Sequence, residues 1–294
     1  MRKSEPHVSV RLHKRTRGDF TEKALELMAL GHGQATVYYD ENIIPELVAA
    51  GIPRRLACRY VNNGCTEIML DGQGLIEFEN VDAVKALELA LFRGAPPALP
   101  AAPIGRYWTV HQPEQVWETS CRAGFDGGDA LNAPDYETIE RIYLRQFDYQ
   151  LRLRLDFLRE RVAKQRAEGA ANALLNGSFP QTLTSGGDVV RGDLGHDCLM
   201  VFSGSLPTAA DGLAAIKDVV FDKRLYTMAD VLEALRDNFQ GHDELRARLI
   251  AAPKFGNDFD LPDGIAARLQ SRFCYTVAAY GQEYGMLFWP ALIG

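Results

Sequence analysis

The first forty residues change hydrophobic period twice. "HVSVRLH" (7–13) alternates, with Val8, Val10 and Leu12 on one side, and predicts a half-buried strand. "FTEKALELMAL" (20–30) takes up helical spacing, and Gly31 offers a stop. "QATVYYD" (34–40) again reads as a strand. Pro45 and Pro53 each fit the first turn of a short helix, where proline's missing N–H is not required. In "YVNNGCTEIMLDGQG" (60–74), turn residues lie on both sides of Cys65 and Glu67 and predict a loop that carries them at its tip. Asn80 fits as the cap of a helix over "VDAVKALELALFR", with Gly94 as its end. Strand and helix thus alternate before residue 95, which predicts parallel strands covered by helices.

The rest of the chain is richer in helix. "APPALPAAPIG" (95–105) is a proline-rich, extended connection. A long helix is expected over 134–169, opened by Pro134 and closed by Gly169. Ile139, Ile142, Phe147, Leu151, Leu155, Leu158 and Val162 form its apolar stripe, and its many Arg and Glu residues read as a solvated face. "CLMVF" (198–202) reads as a buried strand. Helices starting at Thr208 and Thr227 each carry Asp three residues later, a weak capping-box pattern. The last helix is expected over 262–285. The halves 1–94 and 106–294 need not be independent domains.

The chain has 294 residues, 47% of them hydrophobic, enough for one large core or two ordinary domains. A net charge of -7 disfavours nucleic acid and acidic membrane surfaces as partners. The cluster of Arg2, Lys3, Arg11, Lys14, Arg15 and Arg17 reads as a solvated face. No apolar run reaches membrane-span length, and no signal-peptide pattern opens the chain. Five cysteines (58, 65, 121, 198, 274) lack CxxC or zinc-ligand spacing, so free thiols in a reducing cytoplasm are expected. "GHGQAT" (31–36) lacks the third glycine of a dinucleotide loop and follows a helix. "FSGSLP" lacks the G-x-S-x-G of a nucleophile elbow.

Cys65 and Glu67 remain as candidate chemistry. In extended chain, positions i and i+2 point to the same side. A neighbouring carboxylate disfavours a thiolate, so the pair suits a neutral thiol or a thiyl radical. Spacing alone leaves a structural cysteine beside an unrelated acid as the simpler reading.

The flanks of that pair change the balance. "VSVRLHKRTRGDFTEKALELMALGHGQATVYYDENIIPELVAAGI", "NNGCTE" followed by "AVKALELALFRG", and the block "GLAAIKDVVFDKRLYTMADVLEALRDNFQGHDELRARLIAAPKFGNDFD" together resemble the glycyl radical enzymes, the pyruvate formate-lyase family. The resemblance covers essentially the whole chain, and "APKFGND" (252–258) is its most specific part. It is nearest the glycerol and propanediol dehydratase and choline trimethylamine-lyase branch. It implies an α/β fold, a half-barrel of parallel strands with surrounding helices and a helix-rich C-terminal part, as one partial barrel domain over 1–294.

The same resemblance implies roles. The family's Gly-Cys-Val-Glu-Pro loop matches Gly64, Cys65, Thr66, Glu67 and Ile68, so Cys65 would be the thiyl cysteine and Glu67 a general base. Glu77 is the nearest counterpart of an acid that binds a substrate hydroxyl. Gly64 stands where pyruvate formate-lyase has a second cysteine, which disfavours acyl transfer; radical decarboxylation stays open. Thr66 and Ile68 depart from the family's Val and Pro. The family's Arg-Val-x-Gly-Tyr radical motif is absent from the sequence, as is its N-terminal half-barrel, so the chain reads as a central segment. No bound cofactor is expected. The implied partners are a small-molecule substrate, an S-adenosylmethionine iron–sulfur activating enzyme, the missing parts as separate chains, and a second copy in the full-length dimer. A truncated homologue acting as a scaffold is the rival reading.

Overall fold

The structure is a computed structural model that describes residues 8–30, 35–63, 67–95, 121–169 and 171–293. In chain order the first elements are β1 (Val8–Leu12), α1 (Gly18–Ala29), β2 (Ala35–Tyr39), α2 (Asp40–Ala49) and α3 (Arg54–Ala57). Then come β3 (Tyr60–Asn63), β4 (Glu67–Leu70), β5 (Ile76–Asp82), α4 (Ala83–Leu91), α5 (Tyr136–Glu168), α6 (Ala173–Gly177) and α7 (Pro180–Ser185). The last are β6 (Cys198–Gly204), α8 (Leu206–Ile216), α9 (Met228–Arg236), α10 (Asp243–Ala251), α11 (Asp260–Tyr284) and β7 (Phe288–Ile293). They form two compact units, one of residues 1–77 with 162–199, the other of 78–161 with 200–294. The units are interleaved in sequence.

In the first unit β1 and β2 are parallel, in register from Val8 opposite Ala35 to Leu12 opposite Tyr39, with α1 as the crossover. This is the expected strand–helix–strand arrangement. β3 and β4 depart from it. They pair antiparallel, Tyr60 opposite Leu70 and Asn63 opposite Glu67. Only residues 64–66 join them, and a parallel pair needs a crossover of a dozen or more. α2 begins at Asp40, not at Pro45, which lies inside it. Asp40 and Glu41 place negative charge on the first turn, where the helix dipole favours it. Pro53 does sit at the cap of α3.

The second unit is built on α5. All seven residues of its expected stripe are buried, each at most 5% exposed. Its start is set by Asp135, which accepts from the Thr138 amide at 2.8 Å, one residue after the proline expected to open it. The charged side chains are less solvated than expected. Glu140 pairs with both ends of the Arg268 fork at 2.9 and 3.0 Å, Asp148 pairs with Arg272, and Arg152 grips Glu283 at 2.8 and 2.9 Å. The Tyr280 hydroxyl donates to Asp156 at 2.6 Å. The α5 surface is thus a polar seam against α11, with Phe147 edge-on to Phe273 beneath it.

β5, β6 and β7 form a sheet in that order, and the buried strand expected over 198–202 is β6. Asn80 does not cap α4. Strand β5 runs on to Asp82, burying Val81, and the Asp82 carboxylate accepts from Val84 and Lys85 at 2.9 and 3.0 Å. Gly94 closes that helix at φ +81°, its amide on the Leu89 carbonyl, as expected. α8 starts at Leu206, directly after Ser205 turns at φ +57°, so Thr208 caps nothing. It packs on α4 and α11, and its Ala209, Ala210 and Ala214 are fully buried.

Thr227 does form a capping box with Asp230. Thr227→Ala is therefore expected to cost about 1 kcal/mol, and Thr208→Ala less than about 0.5 kcal/mol as an ordinary surface change. Denaturant unfolding of the two variants checks the difference.

Candidate functional site

Residues 64–66 lie outside the described residues, and Cys65 with them. Glu67 opens β4 and is half-buried. Glu77 is the second residue of β5, also half-buried. What the structure describes is therefore the frame of the β3–β4 hairpin and how it is held.

Tyr60, at the start of β3, is fully buried, and its hydroxyl donates to Asp40 at 2.7 Å. Arg11 of β1 reaches the same carboxylate with Nε and one terminal nitrogen, both at 2.9 Å. Its other terminal nitrogen donates to the backbone carbonyls of Tyr60 and Cys58, at 3.1 and 3.3 Å. The guanidinium carbon lies 3.9 Å from the centre of the Tyr60 ring. One arginine thus ties β1, the start of α2 and the start of β3 together.

A second set of contacts lies one step further along. The Asn62 amide nitrogen donates to the Tyr38 hydroxyl at 2.6 Å and to the Glu67 backbone carbonyl at 3.3 Å. Its oxygen accepts from Ser9 at 2.9 Å. Tyr38 and Tyr60 meet edge to face, 6.4 Å between ring centres.

The strand that leaves the hairpin is clamped elsewhere. Leu75 exchanges bonds with residues 197 and 198: its amide donates to the Asp197 carboxylate at 3.0 Å, and its carbonyl accepts from the Cys198 amide at 2.8 Å. Arg166 binds the other Asp197 oxygen at 2.8 Å. Gly74 has to be glycine here. A Cβ would stand 2.6 Å from the Asp197 carboxylate and 2.7 Å from the His196 carbonyl.

The electrostatics follow from these contacts. Burial works against ionising Asp40, but the Arg11 and Tyr60 hydrogen bonds outweigh it and hold the carboxyl below its usual range. Burial, then the bond to Asp40, pushes the Tyr60 phenol well up. Burial also raises the Cys121 and Cys198 thiols, to about 12 and about 11, so neither is a ready thiolate. Among the described residues no group of His, Cys, Asp and Glu could hold a metal ion, and no helix is long and apolar enough to cross a membrane.

The block "APKFGND" (252–258) is structural at the positions seen. Lys254 caps α10 by donating to the Leu249 and Ala252 carbonyls at 3.0 and 2.6 Å. The Phe255 amide binds Asp211 at 2.7 Å, and the Gly256 amide binds Asp263 at 2.9 Å. Arg11, Asp40, Tyr60 and Asn62 were not singled out as site residues from sequence. Only their spacing after chain pairing brings them together.

The model of the pyruvate formate lyase-like family matches residues 1–293, and the chain belongs to that family, the glycyl radical enzymes. It is 25% identical over 298 aligned positions to an isethionate sulfite-lyase of Bilophila wadsworthia, covering 96% of this chain and 32% of that protein. It is 27% identical to a trans-4-hydroxy-L-proline dehydratase of Clostridioides difficile, covering 90% of this chain and 31% of the relative. A crystal structure of a hydroxyproline dehydratase from the same organism, with trans-4-hydroxy-L-proline bound, superposes with a TM-score of 0.76. That match is 24% identical and covers 99% of this chain and 34% of the other. The fold is thus part of the glycyl radical enzyme α/β barrel, as expected, and the chain spans about a third of the length of the relatives it matches.

Acid should probe the Arg11–Asp40–Tyr60 cluster. A carboxyl with a lowered native pKa stabilises the fold above its unfolded pKa, about 4, and loses that contribution as pH falls through the native value. Stability should thus fall on acidification below about pH 4, and Asp40→Asn should lower stability at pH 7 while flattening that acid limb. Chemical unfolding of both proteins between pH 7 and pH 3 measures it.

Proposed function

We propose that this chain supplies the thiyl cysteine and the general base of a glycyl radical enzyme that eliminates a group from a small polar molecule. Cys65 is the cysteine and Glu67 the base. The observation that carries this reading is the place of Glu67 at the head of β4, two residues after Cys65, on a hairpin whose backbone is tied to β1, β2 and α2. The relatives named as a sulfite-lyase and a dehydratase both eliminate a group, which supports the reaction class.

The proposed chemistry starts from a Cys65 thiyl, which takes a hydrogen atom from the substrate carbon that bears a hydroxyl. The sulfur becomes a neutral thiol and the carbon a radical. The Glu67 carboxylate accepts the hydroxyl proton, and the neighbouring carbon–heteroatom bond breaks, the leaving group departing with the bonding pair. The product radical takes the hydrogen atom back from Cys65. Glu77 is proposed to hold a second polar group of the substrate. A glycyl radical, installed by an S-adenosylmethionine iron–sulfur activating enzyme, supplies the oxidising equivalent. Cytoplasmic location, the activating partner and a dimer of the complete enzyme belong to the same proposal. So does a division of the barrel between separate chains.

The test uses these residues together with the radical-glycine segment, as one polypeptide or two, activated anaerobically. Isethionate, trans-4-hydroxy-L-proline and a diol form the substrate panel. Cys65→Ser is expected to abolish turnover, since a hydroxyl is a far poorer hydrogen-atom relay. Glu67→Gln should slow elimination at least about 100-fold, in the range of lost acid–base catalysis, with the glycyl signal in electron paramagnetic resonance unchanged. Full activity of Cys65→Ser would sink the assignment. A protein that stays inert with every substrate, yet stabilises a second barrel chain, would favour the scaffold.

A further inference from the structure

We propose that Asn62 is the positioning residue for Glu67, fixing the backbone from which its carboxylate projects. The inference rests on the role proposed above for Glu67.

The ladder places Asn62 opposite Ile68 and Asn63 opposite Glu67. Asn62 therefore reaches the Glu67 carbonyl with its side chain, a contact beyond those of the ladder. The chemistry fixes which way its amide points. A backbone carbonyl only accepts, so the nitrogen must face Glu67, and the oxygen is left for the Ser9 hydroxyl. The Tyr38 hydroxyl takes the second amide hydrogen. All three partners are set by other elements. Ser9 and Tyr38 lie on β1 and β2, whose register is fixed by five paired positions. Tyr38 is 8% exposed and packed edge-on to the buried Tyr60 ring.

A two-stranded hairpin is marginal by itself and leaves the direction of its tip loosely set. Asn62 removes that freedom by making the return strand part of the β1–β2 frame. Few side chains could replace it. Aspartate has no donor and would set a carboxylate against the Glu67 carbonyl. Leucine fills the space but cannot bond to the buried Tyr38 hydroxyl or the Glu67 carbonyl. A general base displaced by about 1 Å can lose about 100-fold in rate while substrate affinity is nearly kept.

The experiment has two arms. In this 294-residue chain, amide hydrogen exchange is followed in Asn62→Asp, Asn62→Leu and the milder Ser9→Ala. Residues 67–70 are expected to exchange at least about tenfold faster in the Asn62 variants, with α5 unchanged, as for a local opening. Ser9→Ala should fall between them and the parent, and it serves where an Asn62 variant does not fold. In the activated system, Asn62→Leu should lower kcat about 10- to 100-fold, with KM within about threefold and the glycyl signal intact. A merely structural defect would lower the folded fraction and leave kcat per radical unchanged. Parent-like exchange at 67–70 together with parent-like kcat per radical would overturn the proposal. If Glu67→Gln is itself fully active, the base assignment fails, and the exchange arm alone then decides whether Asn62 positions this strand.

Discussion

Arg11 has five N–H donors on a planar fork, and β1 brings that fork against the face of Tyr60. A guanidinium over an aromatic ring and partly removed from water has to find acceptors in the plane of the fork. It finds the Asp40 carboxylate on one edge and the Cys58 and Tyr60 carbonyls on the other. The acceptors come from two stretches of chain, Asp40 and the 58–60 segment. Asp40 is also the first residue of α2, so the same carboxylate meets the N-terminal dipole of that helix. The Tyr60 hydroxyl uses one of the oxygens that Arg11 uses. Asp40 holds both other members, so its loss leaves the fully buried Tyr60 hydroxyl without this acceptor and the Arg11 fork without its carboxylate. These bonds hold Tyr60, the first residue of β3, by its hydroxyl and its carbonyl.

Strand-and-helix order was legible wherever a single period ran long enough. The α5 stripe and the β1–α1–β2 unit came straight from spacing, because each buries one face only. The errors sit where local chemistry competes. Asn80 and Asp82 are both good caps, but Val81 between them is buried in a strand, and Asp82 is the one that faces the α4 amides. Thr208 and Thr227 carry the same pattern, and only the second is free to act, since α8 starts directly from β6. The α5 arginines and acids read as solvated because their partners on α11 are more than 120 positions away in sequence. For the candidate site, the pair Cys65 and Glu67 was visible as spacing plus resemblance. Asn62 was visible only as a turn residue, since nothing local points from it to Tyr38 or Ser9.

The two ends of the hairpin segment are held by different means. The start is held by a charged cluster, and the exit by backbone bonds and a close approach. At Gly74 no Cβ fits against Asp197, so residues 74 and 75 lie against residues 196–198 at backbone distance. Asp197 is itself kept in place by Arg166. Glu67 lies between these anchors, and Glu77 follows the second anchor by two residues. The two acids therefore sit on stretches of backbone with independent supports.

The roles proposed for Cys65 and Glu67 are hydrogen-atom transfer and proton removal, not thiolate chemistry. A nucleophilic cysteine needs a nearby cation or helix N-terminus to favour its anion. A thiol that gives and takes a hydrogen atom needs approach distance instead, and distance is set by backbone. The investment around the β3–β4 hairpin is of that second kind. Its arginine is spent on Asp40 and on backbone carbonyls, and its asparagine on a carbonyl and two hydroxyls. Under the role proposed for Cys65 and Glu67, these bonds act on geometry and leave the charge of the reacting groups alone. A carboxylate base then needs only a fixed direction toward the hydroxyl it deprotonates, and the Asn62 contact to its carbonyl supplies a fixed point from which that direction is measured.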